Sequence, residues 1–191
     1  GSNTWPDQPP CPVQPRFGNT TEVVDPCTIG WVPIVPQPTP TLPPYVLNYL
    51  SKNCLKAALN NLSLGSTNTF FRQIFNIFDS SSNLHISFSE SSLPTAYGSI
   101  NYLPTSSLGP IADITLDTTA LLSCSNEWMA YVIIHEVAHA GMYANIIQWD
   151  TTSSQHETMM SQYLTRMALS LTTVYPSLSL YDAYAMCYAG F

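Results

Sequence analysis

The chain has 191 residues, of which 45% are hydrophobic and only 9% carry a charge. This length is typical of one domain and supplies enough apolar residues for a real core. Five basic residues and a net charge of −7 exclude the clustered Lys and Arg of a nucleic-acid interface, and no apolar run approaches the roughly 18 residues of a transmembrane segment.

Proline dominates residues 1–44. Because proline removes a backbone donor and fixes φ, this segment predicts a Pro-rich N-terminal arm or linker rather than helices or central strands. Residues 45–191 form the folded domain in this prediction. Cys11 and Cys27 lie in the arm, where they either close a disulfide loop or remain free thiols, and the sequence leaves both alternatives open.

The composition also favours an exported protein. Charged residues are scarce, hydroxyl side chains are abundant, and a disulfide between Cys11 and Cys27 would need an oxidising compartment. Gly1 and Ser2 resemble an expression scar, so we expect a native export signal to have been removed upstream. We therefore predict a secreted, periplasmic or cell-surface protein, and the sequence indicates no oligomeric state.

Two helices and a small sheet are predicted in the first half of the domain. From Tyr45 onward, apolar residues recur at spacings of three and four, which predicts an amphipathic helix that Gly65 ends. A second helix follows over about residues 68–79. The period then changes to two, which is typical of half-buried strands. Three strands are predicted, at about residues 84–88, 96–102 and 111–117.

The second half of the domain is predicted to be helical, with helices at about residues 125–146, 154–173 and 179–188. An order of helices, strands and helices is typical of the α+β class. We therefore expect a small mixed or antiparallel sheet packed against helices.

One short segment carries the chemistry, namely His135-Glu136-Val137-Ala138-His139. On a helix, two histidines four residues apart share a face and can bind one tetrahedral zinc ion. Glu136 can then hold a zinc-bound water and accept its proton. The apolar residues 128–134 just before the motif predict that its helix crosses the core, where two histidines and a glutamate without a metal would be costly to bury.

A catalytic zinc commonly has three protein ligands, so a third is expected later in the chain. His156 and Glu157 both lie at the start of the next predicted helix, and their side chains point about 100° apart. Imidazole is the better zinc ligand, which favours His156, with Glu157 as the alternative third ligand and Asp150 behind both. The one of the pair that does not bind zinc could orient a ligand histidine through its free ring N–H.

Tyr163 is a further candidate, because it lies seven residues after His156 and therefore on the same face of a regular helix. A tyrosine there could donate a hydrogen bond to a developing oxyanion in catalysis. The alternative is that its ring packs in the core.

Residues 131–140 resemble the metal helix of SprT-like zincins, in which apolar residues precede the pattern HExxHA. Residues 155–163 are similar to the helix that carries the third histidine in that group. The likeness extends to uncharacterised exported bacterial zincins of this type and covers about residues 45–191. The chain lacks the basic surface and the zinc ribbon of DNA-repair SprT proteins, so the resemblance implies no role on nucleic acid.

The resemblance implies a zincin fold with the HExxH motif on a core helix. It further implies a zinc ion bound by His135, His139 and His156, with Glu136 as the general base.

The resulting functional prediction is a zinc-dependent hydrolase, specifically a metallopeptidase that acts on a peptide or protein substrate. The strand at Ile111–Asp117 is expected to be the sheet edge beside the cleft, where it would pair with an extended peptide. Two alternatives remain: a non-catalytic zinc-containing module that binds a protein or acts as an effector, and a zinc amidase acting on non-peptide amides such as those of cell walls.

Overall fold

The computed structural model describes residues 46–80, 83–104, 109–148 and 154–190. The predicted arm, with Cys11 and Cys27, lies outside the described residues, and so does Asp150. Among the helices in these ranges, none is both long and apolar enough to cross a membrane.

Four strands form one mixed sheet in the order β1-β2-β4-β3. Neighbours β1 and β2 run parallel, as do β2 and β4, whereas β3 runs antiparallel to β4. The mixed sheet agrees with the sequence prediction. The strands are β1 Val46–Asn48, β2 His85–Ser91, β3 Gly98–Leu103 and β4 Ile111–Asp117.

The prediction that Ile111–Asp117 is the sheet edge is wrong, because β4 lies between β2 and β3. Its inward side chains Ala112, Ile114 and Leu116 are fully buried, as is usual for an interior strand. The edge on this side of the sheet is β3. Strand pairing order depends on how the chain crosses over, and alternating hydrophobicity within a strand does not carry that information.

The start of the domain also differs from the prediction of a helix beginning at Tyr45. Val46–Asn48 is extended and pairs with β2 through Val46 and Ile86, and the next backbone amide, that of Tyr49, donates to the carbonyl of Phe88 at 2.8 Å. This segment forms a short strand rather than a helical turn because the edge of β2 pairs with its backbone donors and acceptors.

After the short strand β1, two helices precede the other three strands and further helices follow them, which is consistent with the α+β class. Residues 154–173, predicted as one helix, are divided by a π-helical segment. The helices are α1 Asn53–Leu64, α2 Phe70–Ser80, α3 Asn126–Tyr143, α4 Gln155–Thr158, the π-helical Met159–Tyr163, α5 Leu164–Val174 and α6 Leu180–Ala189.

Helix α3 is the centre of the domain. It begins at the N-cap Ser125, whose side chain accepts a hydrogen bond from the Trp128 amide at 3.2 Å. Residues 128–142 are all buried, because α3 packs against β3 and β4 on one side and against α1, α2 and α5 on the others. A helix that is apolar around its whole circumference is therefore explained by burial on every side.

Three cysteines lie in the described residues. Cys54 and Cys124 are disulfide-bonded. Cys187 on α6 is a free, fully buried thiol, and burial raises its pKa to about 12. Two oxidised cysteines are typical of proteins that fold in an oxidising compartment.

Candidate metal centre

Three histidine side chains meet at one point beside α3. The Nε2 atoms of His139 and His135 lie 3.1 Å apart, those of His139 and His156 also lie 3.1 Å apart, and those of His135 and His156 lie 3.3 Å apart. Two of these residues come from adjacent turns of α3, and the third comes from the first turn of α4. This nearly equilateral triangle of nitrogens could hold a metal ion.

The size of the triangle fits a small tetrahedral ion. Zinc–nitrogen bonds of about 2.0–2.1 Å in tetrahedral geometry separate the nitrogen ligands by roughly 3.3 Å. The observed separations of 3.1–3.3 Å are close to that value. Because three nitrogens converge among the residues that the structure describes, an ion bound by them alone would keep a fourth position for water or substrate.

The other ring nitrogen, Nδ1, of each α3 histidine contacts a polar side chain. Nδ1 of His135 lies 3.2 Å from the hydroxyl of Tyr131, one turn earlier on α3. Nδ1 of His139 lies 2.5 Å from Oε1 of Gln155, the residue that opens α4. The amide oxygen of Gln155 can only accept, so its contact places the ring proton of His139 on Nδ1 and leaves Nε2 with a free lone pair, which is the form that binds a metal. The Tyr131 hydroxyl is able to accept from Nδ1 of His135 in the same way.

Burial keeps these imidazoles uncharged. It lowers the pKa of His135 well below the usual value, and the neighbouring His139 and His156 lower it further. Burial likewise lowers the pKa of His139 to about 3, with the hydrogen bond to Gln155 opposing the shift and His156 adding to it. The pKa of the half-buried His156 is lowered by burial as well. Neutral rings can ligate a cation without first releasing a proton.

Glu136 is buried next to the first histidine, with 2% of its surface exposed. Its Oε1 has no hydrogen-bond partner among the described residues, and burial raises the pKa of this carboxyl to about 8. A buried carboxylate without a partner is costly, so most structural positions avoid it. A group of this kind in a site is suited to proton transfer near neutral pH.

Space for Glu136 is provided by Gly98, the first residue of β3. A β-carbon at Gly98 would lie 2.8 Å from Oε1 and 2.9 Å from Cγ of Glu136. These distances are shorter than ordinary contacts, so any larger residue would move the glutamate. The start of the edge strand and the carboxyl group are thus in direct contact.

The edge of β3 that faces away from β4 begins at this contact and continues along the strand. The amide of Asp117 donates to the carbonyl of Tyr97 at 2.8 Å, which makes these two residues a hydrogen-bonded antiparallel pair. By alternation, the backbone groups of Gly98, Ile100 and Tyr102 point away from β4. No strand in the described ranges pairs with this side of β3.

Of the candidates for the third ligand, the structure brings His156 to the two α3 histidines. Glu157 instead closes a capping box at the start of α4: its Oε2 accepts from the Ser154 amide at 2.7 Å, and Ser154 Oγ accepts from the Glu157 amide. The two residues point in different directions, as their spacing on a helix predicts. Glu157 therefore has a backbone-capping role.

Tyr163 lies in the core near α2. Its ring stacks on Phe70 with centroids 5.2 Å apart, and its hydroxyl donates to the carbonyl of Gln148 at 2.8 Å. The π-helical segment between His156 and Tyr163 widens the helical turn and so rotates Tyr163 away from the face it would occupy on a regular helix. These contacts correspond to the packing alternative, and a part for Tyr163 in catalysis stays a prediction.

Sequence reasoning did not single out Tyr131, Gln155 or Gly98. Tyr131 precedes His135 by four residues and shares its helical face, so its spacing was the available signal. Gln155 is adjacent to His156 but serves the other histidine. The role of Gly98 depends on a contact between distant segments, for which the sequence has no local signature.

Comparison with known proteins found no similarity: no family model, no curated protein and no solved structure matches the chain.

Proposed function

We propose that this protein is a zinc-dependent hydrolase, and specifically a metallopeptidase of the HExxH type. The observation that carries the proposal is the triangle of His135, His139 and His156 nitrogens with the buried, unpartnered Glu136 beside it. A purely structural zinc has no use for a general base. The presence of Glu136 beside the triangle therefore disfavours a non-catalytic zinc module.

Zinc is the metal proposed because three neutral imidazoles with one open position are typical of catalytic zinc sites. When bound there, zinc supplies a Lewis acid that polarises a scissile carbonyl and makes water more acidic. The half-buried His156 marks the side of the triangle that is open to solvent. Substrate would approach from that side.

Glu136 provides the proton transfer in the proposed reaction. Its carboxylate accepts a proton from the attacking water as the new carbon–oxygen bond forms. It then returns that proton to the leaving amine as the carbon–nitrogen bond breaks. The surrounding apolar residues of α3 exclude bulk water from this carboxyl and raise its proton affinity.

The outer edge of β3 is the proposed binding strand for an extended peptide. Outward backbone groups at Gly98, Ile100 and Tyr102 can pair with a substrate strand. Because Gly98 touches Glu136, a peptide on this edge would carry its backbone past the general base. This arrangement favours a peptide over a small non-peptide amide.

The fold and location proposed here follow the same reasoning. A central HExxH helix beside a mixed sheet with an antiparallel edge strand is consistent with a zincin-like domain, and the resemblance to SprT-like and exported bacterial zincins remains a prediction. The disulfide-bonded Cys54 and Cys124 support a secreted, periplasmic or cell-surface protein.

The test is a comparison of the wild type with Glu136→Gln. We expect one zinc per chain in both proteins by elemental analysis, because the nitrogen ligands are unchanged. Incubation with a peptide library, followed by mass spectrometry, should detect cleavage by the wild type only. General-base catalysis contributes about 10²–10⁴-fold, so loss of activity in the variant should be at least of that size.

Glu127→Gln is the matched control, because Glu127 lies in the first turn of the same helix, nine residues before Glu136. Unchanged turnover in Glu136→Gln would contradict the mechanism. Absence of zinc from the wild type after metal is supplied would contradict the whole proposal. Cleavage of cell-wall fragments without cleavage of any peptide would show that the substrate is a non-peptide amide.

A further inference from the structure

The Tyr131 side chain links the metal centre to the end of the chain. It is fully buried on α3, and its hydroxyl lies 3.2 Å from Nδ1 of His135. Buried phenol hydroxyls almost always have a hydrogen-bond partner. The phenol is also kept neutral, since burial raises its pKa well above the usual value.

The buried positions of helix α6 and its C-cap are small residues. They are Ala183, Cys187 and the C-capping Gly190, spaced four and three residues apart and therefore on one face. Cys187 lies close enough to Tyr131 to contribute to the raised pKa of the phenol. Small residues let the helix approach α3 closely.

Gly190 makes the tightest of these contacts. A β-carbon at Gly190 would lie 1.4 Å from the Tyr131 hydroxyl oxygen and 2.5 Å from Cζ of the same ring. Neither distance is possible between non-bonded atoms, so the phenol could not occupy its present position beside any other residue. The backbone of Gly190 is thus packed directly against the hydroxyl that contacts His135.

We infer that Tyr131 and Gly190 are positioning residues of the metal centre. Tyr131 accepts a hydrogen bond from the Nδ1–H group of His135, which directs Nε2 into the histidine triangle, and Gly190 holds the phenol in place. The C-terminal end of α6 is therefore part of the support of the metal site, although no residue of α6 belongs to the triangle. The inference rests on the proposed zinc site.

The test measures zinc affinity by competition with a chromophoric chelator for Tyr131→Phe, Gly190→Ala and the double variant. Loss of a hydrogen-bond partner of a ligand histidine weakens zinc binding by about 10–100-fold. We expect that loss in Tyr131→Phe and a similar one in Gly190→Ala. The double variant should be within about twofold of Tyr131→Phe. A methyl group at residue 190 would still displace the ring, since it would lie 2.5 Å from Cζ, but that ring no longer carries the hydroxyl that contacts His135.

A spectroscopic measurement separates positioning from a general loss of packing. The visible absorption of bound cobalt(II) reports ligand geometry and should change in Tyr131→Phe and Gly190→Ala. It should not change in Tyr188→Ala, which alters an exposed side chain on the same helix. Gln155→Leu removes the corresponding contact of His139 and gives the expected size of the effect.

The outcomes distinguish this inference from the proposed function. Zinc binding by the wild type together with an affinity within twofold in folded Tyr131→Phe would overturn the inference and leave the proposed function standing. Additive losses in the double variant would overturn the part assigned to Gly190. No zinc in the wild type would overturn both. If Gly190→Ala does not fold, Tyr131→Phe decides alone, because it removes one oxygen atom.

Discussion

Gly98 and Glu136 are in such close contact that a methyl group on the glycine would lie 2.8 Å from the carboxyl oxygen. One residue begins the edge strand β3, and the other is the proposed general base on α3. The contact sets the distance between the edge strand β3 and helix α3. Peptide binding is proposed at the first and proton transfer at the second, so both proposed activities depend on this distance.

Gly98→Ala is expected to displace Glu136 while the histidine triangle stays intact. The value of kcat should fall by at least about tenfold, because part of the 10²–10⁴-fold contribution of a general base is lost when the base is misplaced. Zinc per chain should remain at one. Ser99→Ala, on the next and exposed residue of β3, is the control and should retain wild-type kcat. Loss of zinc in Gly98→Ala would indicate a larger rearrangement than this contact implies.

His156→Ala is expected to weaken zinc binding, and Glu157→Ala is expected to leave it unchanged. His156→Ala removes one nitrogen of the triangle, so zinc affinity should fall by more than the 10–100-fold typical of losing an outer hydrogen bond. Glu157→Ala removes a cap of α4 and should lower thermal stability slightly with one zinc retained. Elemental analysis after gel filtration measures both, and zinc lost mainly with Glu157 would refute the assignment.

The stability of the metal-free protein should have a maximum at about pH 7. Below that pH the unfolded chain binds protons on histidines that stay neutral when folded, because the folded pKa is lowered for His135, His139 and His156. The free energy of unfolding therefore falls as the pH decreases, and these histidines together outweigh the single opposing proton on Glu136. Urea unfolding in the presence of a chelator measures this.

Above about pH 7 the histidines of the unfolded chain are mostly neutral, and Glu136 decides the sign. Its folded pKa of about 8 exceeds the ordinary 4.5, so the folded protein retains a proton that the unfolded chain has released. The free energy of unfolding should then decrease from about pH 7 to 8. Glu136→Gln should remove this alkaline decrease, and the same decrease in both proteins would show that another group causes it.

Ile100→Pro tests the free edge of β3. The Ile100 amide points away from β4, so proline there removes a donor to substrate and none from the sheet. Loss of one hydrogen bond, about 0.5–1.5 kcal/mol, should lower kcat/KM for the best-cleaved peptide by roughly 2–12-fold with zinc unchanged. Ser99→Pro is the contrasting change, since it removes a bond to β4 and should lower Tm instead. Equal kcat/KM in Ile100→Pro and wild type would count against peptide pairing at this edge.

Local patterns in the sequence were sufficient for most of the secondary structure and for two of the three histidines. His135 and His139 lie on one helix, where spacing alone fixes their shared face. The preference for His156 over Glu157 as third ligand depended only on the chemistry of imidazole. A second signal was available in the sequence, because Ser154 and Glu157 occupy the first and fourth positions of an S-x-x-E pattern and form the capping box that the structure contains.

Relations between distant segments could not be predicted in the same way. Placing Ile111–Asp117 at the edge was wrong because strand order depends on the crossover that puts β3 outside β4. The contacts of Gly98 with Glu136 and of Gly190 with Tyr131 join residues separated by 38 and 59 positions. Each is a property of packing, and a lone glycine in the sequence does not indicate its neighbour.

The separation of 17 residues between His139 and His156 has a consequence for mechanical integrity. A bound ion would act as a cross-link that closes this loop and ties the four-residue helix α4 to the rigid central helix. Metal would then protect the protein from proteolysis in proportion to its occupancy. In an extracellular setting, chelation would therefore shorten the lifetime of the protein as well as stop the proposed hydrolysis.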